Sequence, residues 1–240
     1  MRSSFGFGTR MTLLGKRLLM LYGAIYVAEL LLEHWLNIPV VASLQLSPPG
    51  SEHFHFWQIL THPFIHSPQA PIGFLINCLM LYFFAAPVEY ALGSGRFLVL
   101  FYLAALGGAL GGMAFSGVAG FNVPFMGMLP GLLALIVVFG LLNPEATILL
   151  MFILPVKAKY ISYGTAGITL LTFLAKANPY GAYHLGGILC GFIYFRAPGT
   201  LFDPQMMRLK YLQWRLKRRK SRFTVIDGSK GKDDDKPTYH

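Results

Sequence analysis

One histidine of this sequence, His184, lies inside a long apolar run, residues 182–195. An ionisable side chain in a membrane-length segment is costly to bury and indicates a functional site by default. A neutral imidazole can act as a general base, or it can simply hydrogen-bond a neighbouring helix. From the residue alone, both interpretations of His184 stay open.

Four other histidines lie between the first two apolar runs: His53, His55, His62 and His66. An HxH pair with two further histidines can bind Zn²⁺ or Cu²⁺, and histidines can also confer pH sensitivity. However, the spacing matches no common metal site, and phenylalanines lie between the histidines, as expected of a loop that dips into the outer leaflet. We therefore predict an interfacial loop, with no metal and no cofactor.

A second polar residue at depth is Glu29, in the first apolar run, whereas Glu33 fits a position at the membrane interface. We expect Glu29 to be protonated, paired or turned toward the protein interior. Cys78 and Cys190 both lie in apolar runs and are predicted to be packing residues.

The composition indicates which elements must position these residues. The 240 residues are 55% hydrophobic and only 12% charged, whereas soluble domains carry about 25% charged residues. So few charges argue against a disordered chain and against a free globular enzyme, because they cannot cover a surface of this size. The net charge of +10 comes from a tail and short turns, a pattern typical of membrane topology and anionic lipid rather than of nucleic-acid binding.

Six segments approach the length of about 20 apolar residues that a bilayer-spanning helix needs. The sequence therefore predicts an all-α membrane protein with a cytoplasmic segment at 1–16, a six-helix domain at 17–196 and a basic cytoplasmic tail at 197–240. A seventh run, 146–154, ends at Pro155 and is too short to span, so we expect an interfacial or partly buried piece. The predicted spans are 17–35, 72–88, 97–116, 129–142, 160–175 and 182–195.

Lys and Arg occur at the N-terminus, in alternate turns and in the tail, while the other loops are nearly free of them. An even number of spans and this asymmetry predict that both termini are cytoplasmic, in a multi-pass protein of the bacterial inner membrane. In the tail, Met206, Leu209, Leu212 and Leu216 form one helical stripe beside a basic cluster, which predicts an amphipathic helix on anionic lipid. We expect disorder from Gly228 onward.

Small residues mark the third and sixth spans. Gly107 and Gly111, Gly108 and Gly112, and Gly187 and Gly191 are GxxxG pairs. Such pairs let another helix backbone approach closely, so we expect close packing of these two spans within the bundle.

Four motifs in order resemble the rhomboid family of intramembrane serine proteases, and the resemblance covers 57–196. The sequence carries WQILTHPFIH at 57–66, PVEYALGSGRF at 87–97, PVKAKY at 155–160 and HLGG at 184–187. The resemblance implies a six-helix rhomboid-like bundle. In it, a serine at the start of a short fourth helix attacks a peptide bond and a histidine of the sixth helix takes its proton.

Compared with that pattern, the catalytic set is incomplete. His184 holds the place of the base and Asn77 that of one oxyanion donor, but Gly73 stands where the other donor, a histidine, is expected. The family's glycine-x-serine-glycine falls on residues 127–130 and puts Leu129 at the nucleophile position, followed by Pro130, which suits the first turn of a helix. A hydrocarbon side chain can neither lose a proton nor attack a carbonyl. Gln58 also replaces an arginine that often follows the loop tryptophan, which leaves the anchoring of the loop open.

Three hypotheses follow. The first is a proteolytically inactive rhomboid-fold protein that binds transmembrane segments of client proteins in the groove between the second and fifth helices, as inactive members of the family imply. The alternative is an active intramembrane serine endopeptidase with a non-standard nucleophile. Ser116, near the outer end of the third span, and Ser67, in the outward loop, are candidates, whereas Ser94 and Ser162 lie near cytoplasmic turns; packing is the better account of these serines. The third is an assembly subunit of another membrane complex.

Overall fold

Six long helices make up most of the structure, a computed structural model that describes residues 11–150, 154–197, 208–209 and 211–216. This confirms the predicted all-α bundle. Predictions for residues 1–10, for Met206 and for the tail from 217 onward lie outside the described residues. The helices are α1 (Leu13–Leu30), α2 (Pro71–Leu92), α3 (Ser94–Ala119), α4 (Leu129–Leu142), α5 (Ala158–Lys176) and α6 (Pro179–Arg196).

Length and hydropathy allow three of these helical segments to cross a membrane within the described ranges: Leu13–Trp35, Pro71–Leu92 and Ser94–Ala119. The first combines α1 with a π-helical continuation, Leu31–Trp35. The fourth helix, Leu129–Leu142, is apolar but shorter. It can be short because its neighbours surround it, and most of its residues are buried.

The ends of the helices follow the local sequence. Thr12 caps α1 by accepting a hydrogen bond from the Gly15 amide at 2.9 Å. Gly93, at φ 80°, ends α2 directly before α3 begins, and Gly120 ends α3 in the left-handed conformation that glycine adopts without strain. Pro130 lies in the first turn of α4, where its missing N–H costs nothing.

At the centre of the bundle, α4 packs against α2, α3, α5 and α6. The closest approach is between α3 and α6, where glycines replace larger side chains. A Cβ built on Gly107 would lie 2.2 Å from the Cβ of Cys190, and one built on Gly111 would lie 2.7 Å from the carbonyl oxygen of Ala182. Only residues without a side chain allow the two backbones to come this close.

Between α4 and α5 the chain forms a hairpin rather than a helix, with Thr147–Leu150 (β1) antiparallel to Leu154–Lys157 (β2). The seventh apolar run thus begins as a strand. Glu145 accepts hydrogen bonds from Lys157, at 2.6 Å, and from Lys159. These two hydrogen bonds, of which the one from Lys157 has the larger effect, lower the pKa of Glu145 to about 2.

Residues 36–70 form a loop region over one end of the bundle, with short helices at Val40–Leu44 and Gln58–Thr61. Leu46 and Phe125 join this loop to the segment before α4 through two mutual backbone hydrogen bonds of 2.8 Å. At the other end of the bundle, Glu89 of α2 accepts hydrogen bonds from the hydroxyls of Thr12 and Ser94, which fasten the start of α1 to the α2–α3 turn.

Candidate functional site

His184 lies on α6 between the faces that contact α4 and α5. A Cβ built on Gly187 would lie 2.5 Å from the Cβ of Pro130 in α4, and one built on Gly181 would lie 2.8 Å from the Cα of Phe173 in α5. Each residue of a helix is rotated by about 100°, so His184, three positions from each glycine, faces midway between α4 and α5.

The level of His184 along the bundle follows from the same contacts. Gly187 meets Pro130 and Gly191 meets Ala134, so α4 and α6 run in parallel, with partner residues 57 positions apart on both pairs. On this offset His184 is level with Gly127, two residues before α4 begins. The imidazole therefore lies beyond the end of α4, where that helix no longer covers it, and His184 is partly exposed while Tyr183 is buried.

Pro130, rather than Leu129, occupies the contact between α4 and α6. Pro130 is buried, and Leu129 is partly exposed. Cβ atoms built on Gly108 of α3 and on Gly187 of α6 would both lie within 3.0 Å of Pro130. The neighbouring Gly131 faces α3, where its Cβ would lie 2.9 Å from the carbonyl oxygen of Phe101. The start of α4 is thus packed with carbon on the side of His184.

The segment before α4 adds an apolar wall. Phe125 and Met128 are fully buried, and Phe125 stacks on the ring of Tyr183 with centroids 5.1 Å apart. The Tyr183 hydroxyl donates a hydrogen bond to the Gly127 carbonyl at 3.0 Å. Gly127 itself adopts φ 95°, a conformation that side-chain-bearing residues rarely accept.

Two of the four loop histidines are buried against this segment. The Gly127 amide donates to the carbonyl of His62 at 2.8 Å, and a Cβ on Gly127 would lie 3.8 Å from the His66 ring. His66 Nδ1 lies 3.1 Å from the Phe64 carbonyl, so this nitrogen carries the proton. Burial lowers the pKa of His66 to about 4, hence His66 is neutral.

Among the described residues no three His, Cys, Asp or Glu side chains form a metal-binding group. His53 and His55 are exposed, whereas His62 and His66 are buried. His55 stacks on Trp57 with ring centroids 4.2 Å apart. The four histidines therefore do not converge.

The side chain of Gln58 anchors the loop, which the sequence alone had left open. The side chain is fully buried. Its Oε1 accepts hydrogen bonds from the amides of Ser47 (3.1 Å) and His55 (3.2 Å), and its Nε2 donates to the carbonyls of His53 (2.8 Å) and Ser43 (3.4 Å). A neutral amide thus satisfies four backbone groups across thirteen residues of loop.

Asn77 and Gly73 lie one helical turn apart on α2, facing an open side. Asn77 is partly exposed, and a Cβ on Gly73 would meet only the Cβ of Ala70, at 3.8 Å. Both α2 and α5 pack on α4, yet they make little or no direct contact with each other. A groove therefore runs between α2 and α5 over α4. On these two helices several large apolar side chains are 46–72% exposed: Ile72, Leu75, Ile76, Leu79, Ile168, Leu171 and Leu174.

Ser116 is poorly placed to act with His184. Gly111 meets Ala182 and Gly107 meets Gly186, so α3 and α6 are antiparallel and Ser116 is level with Ala177. Seven residues separate Ala177 from His184, which is about 10 Å along the helix axis. A catalytic pair must approach to about 3 Å.

Thr169 of α5 is a hydroxyl within one residue of the level of His184, and it was not among the serines considered from the sequence. The Phe173–Gly181 contact between antiparallel helices places His184 level with Leu170. However, Thr169 Oγ1 donates a hydrogen bond of 2.7 Å to the Thr165 carbonyl of its own helix, a common arrangement for helical threonine. Within the described residues no hydroxyl or thiol hydrogen-bonds His184, whose one ring contact is with Tyr183 at 5.7 Å.

Glu29 is turned inward, one of the three arrangements expected for it. Its side chain is 3% exposed, and its Oε2 accepts a hydrogen bond of 3.3 Å from the His66 amide. Tyr26, on the same helix, donates from its hydroxyl to the Ser67 carbonyl. These contacts fasten α1 to the loop.

A known protein domain matches most of this arrangement. The Rhomboid domain model matches residues 53–197, which is more than half of the chain and spans α2 to α6 together with His62 and His66. The chain belongs to the rhomboid family. No curated protein matches the chain significantly.

Membership of the rhomboid family confirms the resemblance carried by the four motifs and identifies an integral membrane protein. The rhomboid domain includes all the positions singled out for chemistry: Gly73, Asn77, Leu129, Pro130 and His184. In this rhomboid structure His184 and Asn77 carry polar side chains, while carbon occupies the start of α4.

Proposed function

We propose that this rhomboid-family protein does not hydrolyse peptide bonds and instead binds transmembrane segments of client proteins. The observation that carries the proposal is the surrounding of His184. The first residues of α4, one helical turn below the level of His184, are Leu129 and Pro130, and neither side chain can attack a carbonyl. Removing a catalytic nucleophile costs on the order of 10⁶ in rate, and losing one oxyanion donor about 10² to 10³ more.

We assign the lost nucleophile position to Pro130 in preference to Leu129. Pro130 is the residue of α4 that contacts the α6 face carrying Gly187, whereas Leu129 is rotated by about 100° from it. In this register Gly131 matches the glycine after the serine, while Met128 stands where the first glycine is expected; the register at Leu129 matches the first glycine alone. Both assignments leave carbon at the position, so the proposed loss of proteolysis stands with either.

Client binding is supported by the groove between α2 and α5. Both helices expose apolar side chains, and the helix between them, α4, is largely buried. Helices associate in membranes through packing and interhelical hydrogen bonds. The uncovered groove offers a surface for packing, and the side chains of His184 and Asn77 can form interhelical hydrogen bonds.

The competing function is an intramembrane endopeptidase with a non-standard nucleophile. Thr169 suits that role better than Ser116, because Thr169 lies one residue from the level of His184 whereas Ser116 lies about 10 Å from it. Fluorophosphonate labelling of the purified protein separates the two functions. We expect no labelling of the wild type beyond that of His184→Ala. Labelling that disappears in both His184→Ala and Thr169→Val would establish the endopeptidase.

Site-specific photo-crosslinking in the native membrane tests client binding against an assembly role. A photoreactive residue at Ile76 of α2 or at Ile168 of α5 should capture several single-span proteins. Each lies about 80° around its helix from a residue that contacts α4, Phe84 and Ala158 respectively. A matched probe at Val118, which is 91% exposed at the end of α3, serves as the control. One constant stoichiometric partner at Ile76 and Ile168 would identify an assembly subunit and contradict the proposal.

We also infer that both termini are cytoplasmic, that the protein resides in a bacterial inner membrane and that the basic tail contacts anionic lipid. The described tail residues support the last point. Leu209, Leu212, Trp214 and Leu216 are 43–58% exposed, which suits a helix lying in the lipid interface beside its basic neighbours. Binding to vesicles with and without anionic lipid, compared for the full chain and for a chain ending at residue 207, measures this contribution.

A further inference from the structure

We propose that His184 recognises clients by a hydrogen bond to a polar side chain of their transmembrane segment; this inference rests on the proposed client binding. A histidine retained for packing alone would be surrounded and satisfied. His184 is instead partly exposed and, within the described residues, has no hydrogen-bond partner. An imidazole without a partner in an apolar setting is costly, so a ligand that supplies one gains that energy on binding.

The position of His184 determines what can reach it. Its side chain faces between α4 and α5 and lies level with Gly127, above the first turn of α4. Protein therefore covers it on the sides of α3, through buried Tyr183, and of the loop, through buried Phe125 and Met128. The side that remains is the end of the groove between α2 and α5.

The short connection between α5 and α6 fixes the position of this end of the groove. Only Ala177 and Asn178 connect the two helices. Asn178 caps α6 by accepting a 2.7 Å hydrogen bond from the Gly181 amide, and Gly181 packs on the Phe173 backbone. Because α5 is held to α6 here, a client helix must meet His184 from within the groove, at the end level with the second turn of α6.

The matching client chemistry is a neutral hydrogen-bonding side chain, such as Asn, Gln, Ser or Thr, near one end of an otherwise apolar segment. An imidazole nitrogen can accept from or donate to such a group, depending on its tautomer. Asn77 of α2 is partly exposed and makes no hydrogen bond within the described residues, so its amide suits the same class of ligand. A uniformly aliphatic segment would leave His184 without a partner and should bind less tightly.

The test uses two single-span proteins with Leu/Ala membrane segments. One carries a single Asn in the third of the segment that lies level with the start of α6, and the other carries Leu there. Affinities are measured by energy transfer in proteoliposomes with the full-length protein. Interhelical hydrogen bonds in membranes are modest, so we expect the wild type to bind the Asn segment about threefold to tenfold more tightly.

Variants of the protein assign that preference to the imidazole. His184→Phe should bind both segments alike, with the affinity of the wild type for the Leu segment. His184→Asn, which keeps a hydrogen-bonding group, should retain the preference and also guards against a folding defect in the Phe variant. His34→Phe changes an exposed histidine beyond the groove and should behave as wild type.

The outcomes are distinguishable. Equal binding of the two segments by the wild type, or a preference that survives in folded His184→Phe, overturns this inference while leaving client binding intact. Binding of neither segment by the wild type overturns the proposed function itself. Moving the Asn to the opposite end of the segment should abolish the preference, and a preference that persists there would show that His184 is not the group responsible.

Discussion

Returning a hydroxyl to the start of α4 tests the account of the lost active site. If Pro130 occupies the nucleophile position, Pro130→Ser puts an oxygen on the α4–α6 contact, whereas Leu129→Ser puts one about 100° away from it. Serine is smaller than proline and is accepted at a helix start. Each substitution is combined with Gly73→His, for which α2 has room, because a Cβ there meets only one atom, at 3.8 Å.

The expected magnitudes follow from the roles of the groups. With Pro130→Ser and Gly73→His together, fluorophosphonate labelling should appear. Without Gly73→His the rate should fall by about 10² to 10³, the usual effect of one missing oxyanion donor. Adding His184→Ala should return labelling to background, because the hydroxyl then has no base. The same combinations built on Leu129→Ser should stay at background throughout.

Two results would refute this reasoning. Labelling of the Leu129→Ser combination that depends on His184 would place the nucleophile position at residue 129. Absence of labelling from a folded Pro130→Ser and Gly73→His protein would mean that His184 does not face the start of α4. A parallel thermal unfolding measurement in detergent confirms that each variant is folded.

Packing, loop anchoring and the hairpin can each be tested by a matched pair or a pH change. Gly107→Ala should lower the free energy of unfolding by about 1 to 3 kcal/mol through overpacking, because the new Cβ would lie 2.2 Å from the Cβ of Cys190 in α6. Gly117→Ala in the same helix is the control: its Cβ would meet nothing within 4 Å, so the unfolding midpoint should not fall. Gln58→Ala removes four hydrogen bonds to backbone groups of the loop, worth about 1 kcal/mol each, and should accelerate amide exchange in residues 43–58. Gln69→Ala, at an exposed position, is the control and should leave amide exchange in this loop unchanged. The pKa of Glu145 is about 2, below its ordinary value of 4.5. Its ion pairs with Lys157 and Lys159 therefore stabilise the hairpin fully above about pH 4.5, and this stabilisation is lost as the pH falls toward 2. Amide exchange in the wild-type hairpin should accordingly become equal to that of Glu145→Gln as the pH approaches 2.

Local features of the chain were sufficient to predict the helices. Apolar runs of membrane length, broken by Gly93, Gly120 and Pro179, match the observed boundaries of α2 to α6 within a few residues. The start of α1 was predicted at Arg17 and lies at Leu13, because Thr12 caps the helix a turn earlier. The hairpin was not predicted, since a nine-residue apolar run has no period that distinguishes a strand from a buried helix.

The groups available for chemistry were likewise determined by the sequence alone. No Ser or Cys occurs between residues 118 and 161, and an imidazole stands at 184. Residue identity is a property of the chain, so the absence of an ordinary nucleophile at the start of α4 needed no structure.

Only the tertiary structure decided which residues meet. Pro130 rather than Leu129 contacts α6, and Thr169 rather than Ser116 lies close to the level of His184. The buried Gln58 side chain anchors the loop through four hydrogen bonds to backbone groups. Each of these depends on the rotation and axial register of one helix against another, or on a loop folding back on a buried amide. Side-chain contacts across the bundle set those relationships, and a shift of one residue along a helix turns a side chain by about 100°, which a single sequence does not specify.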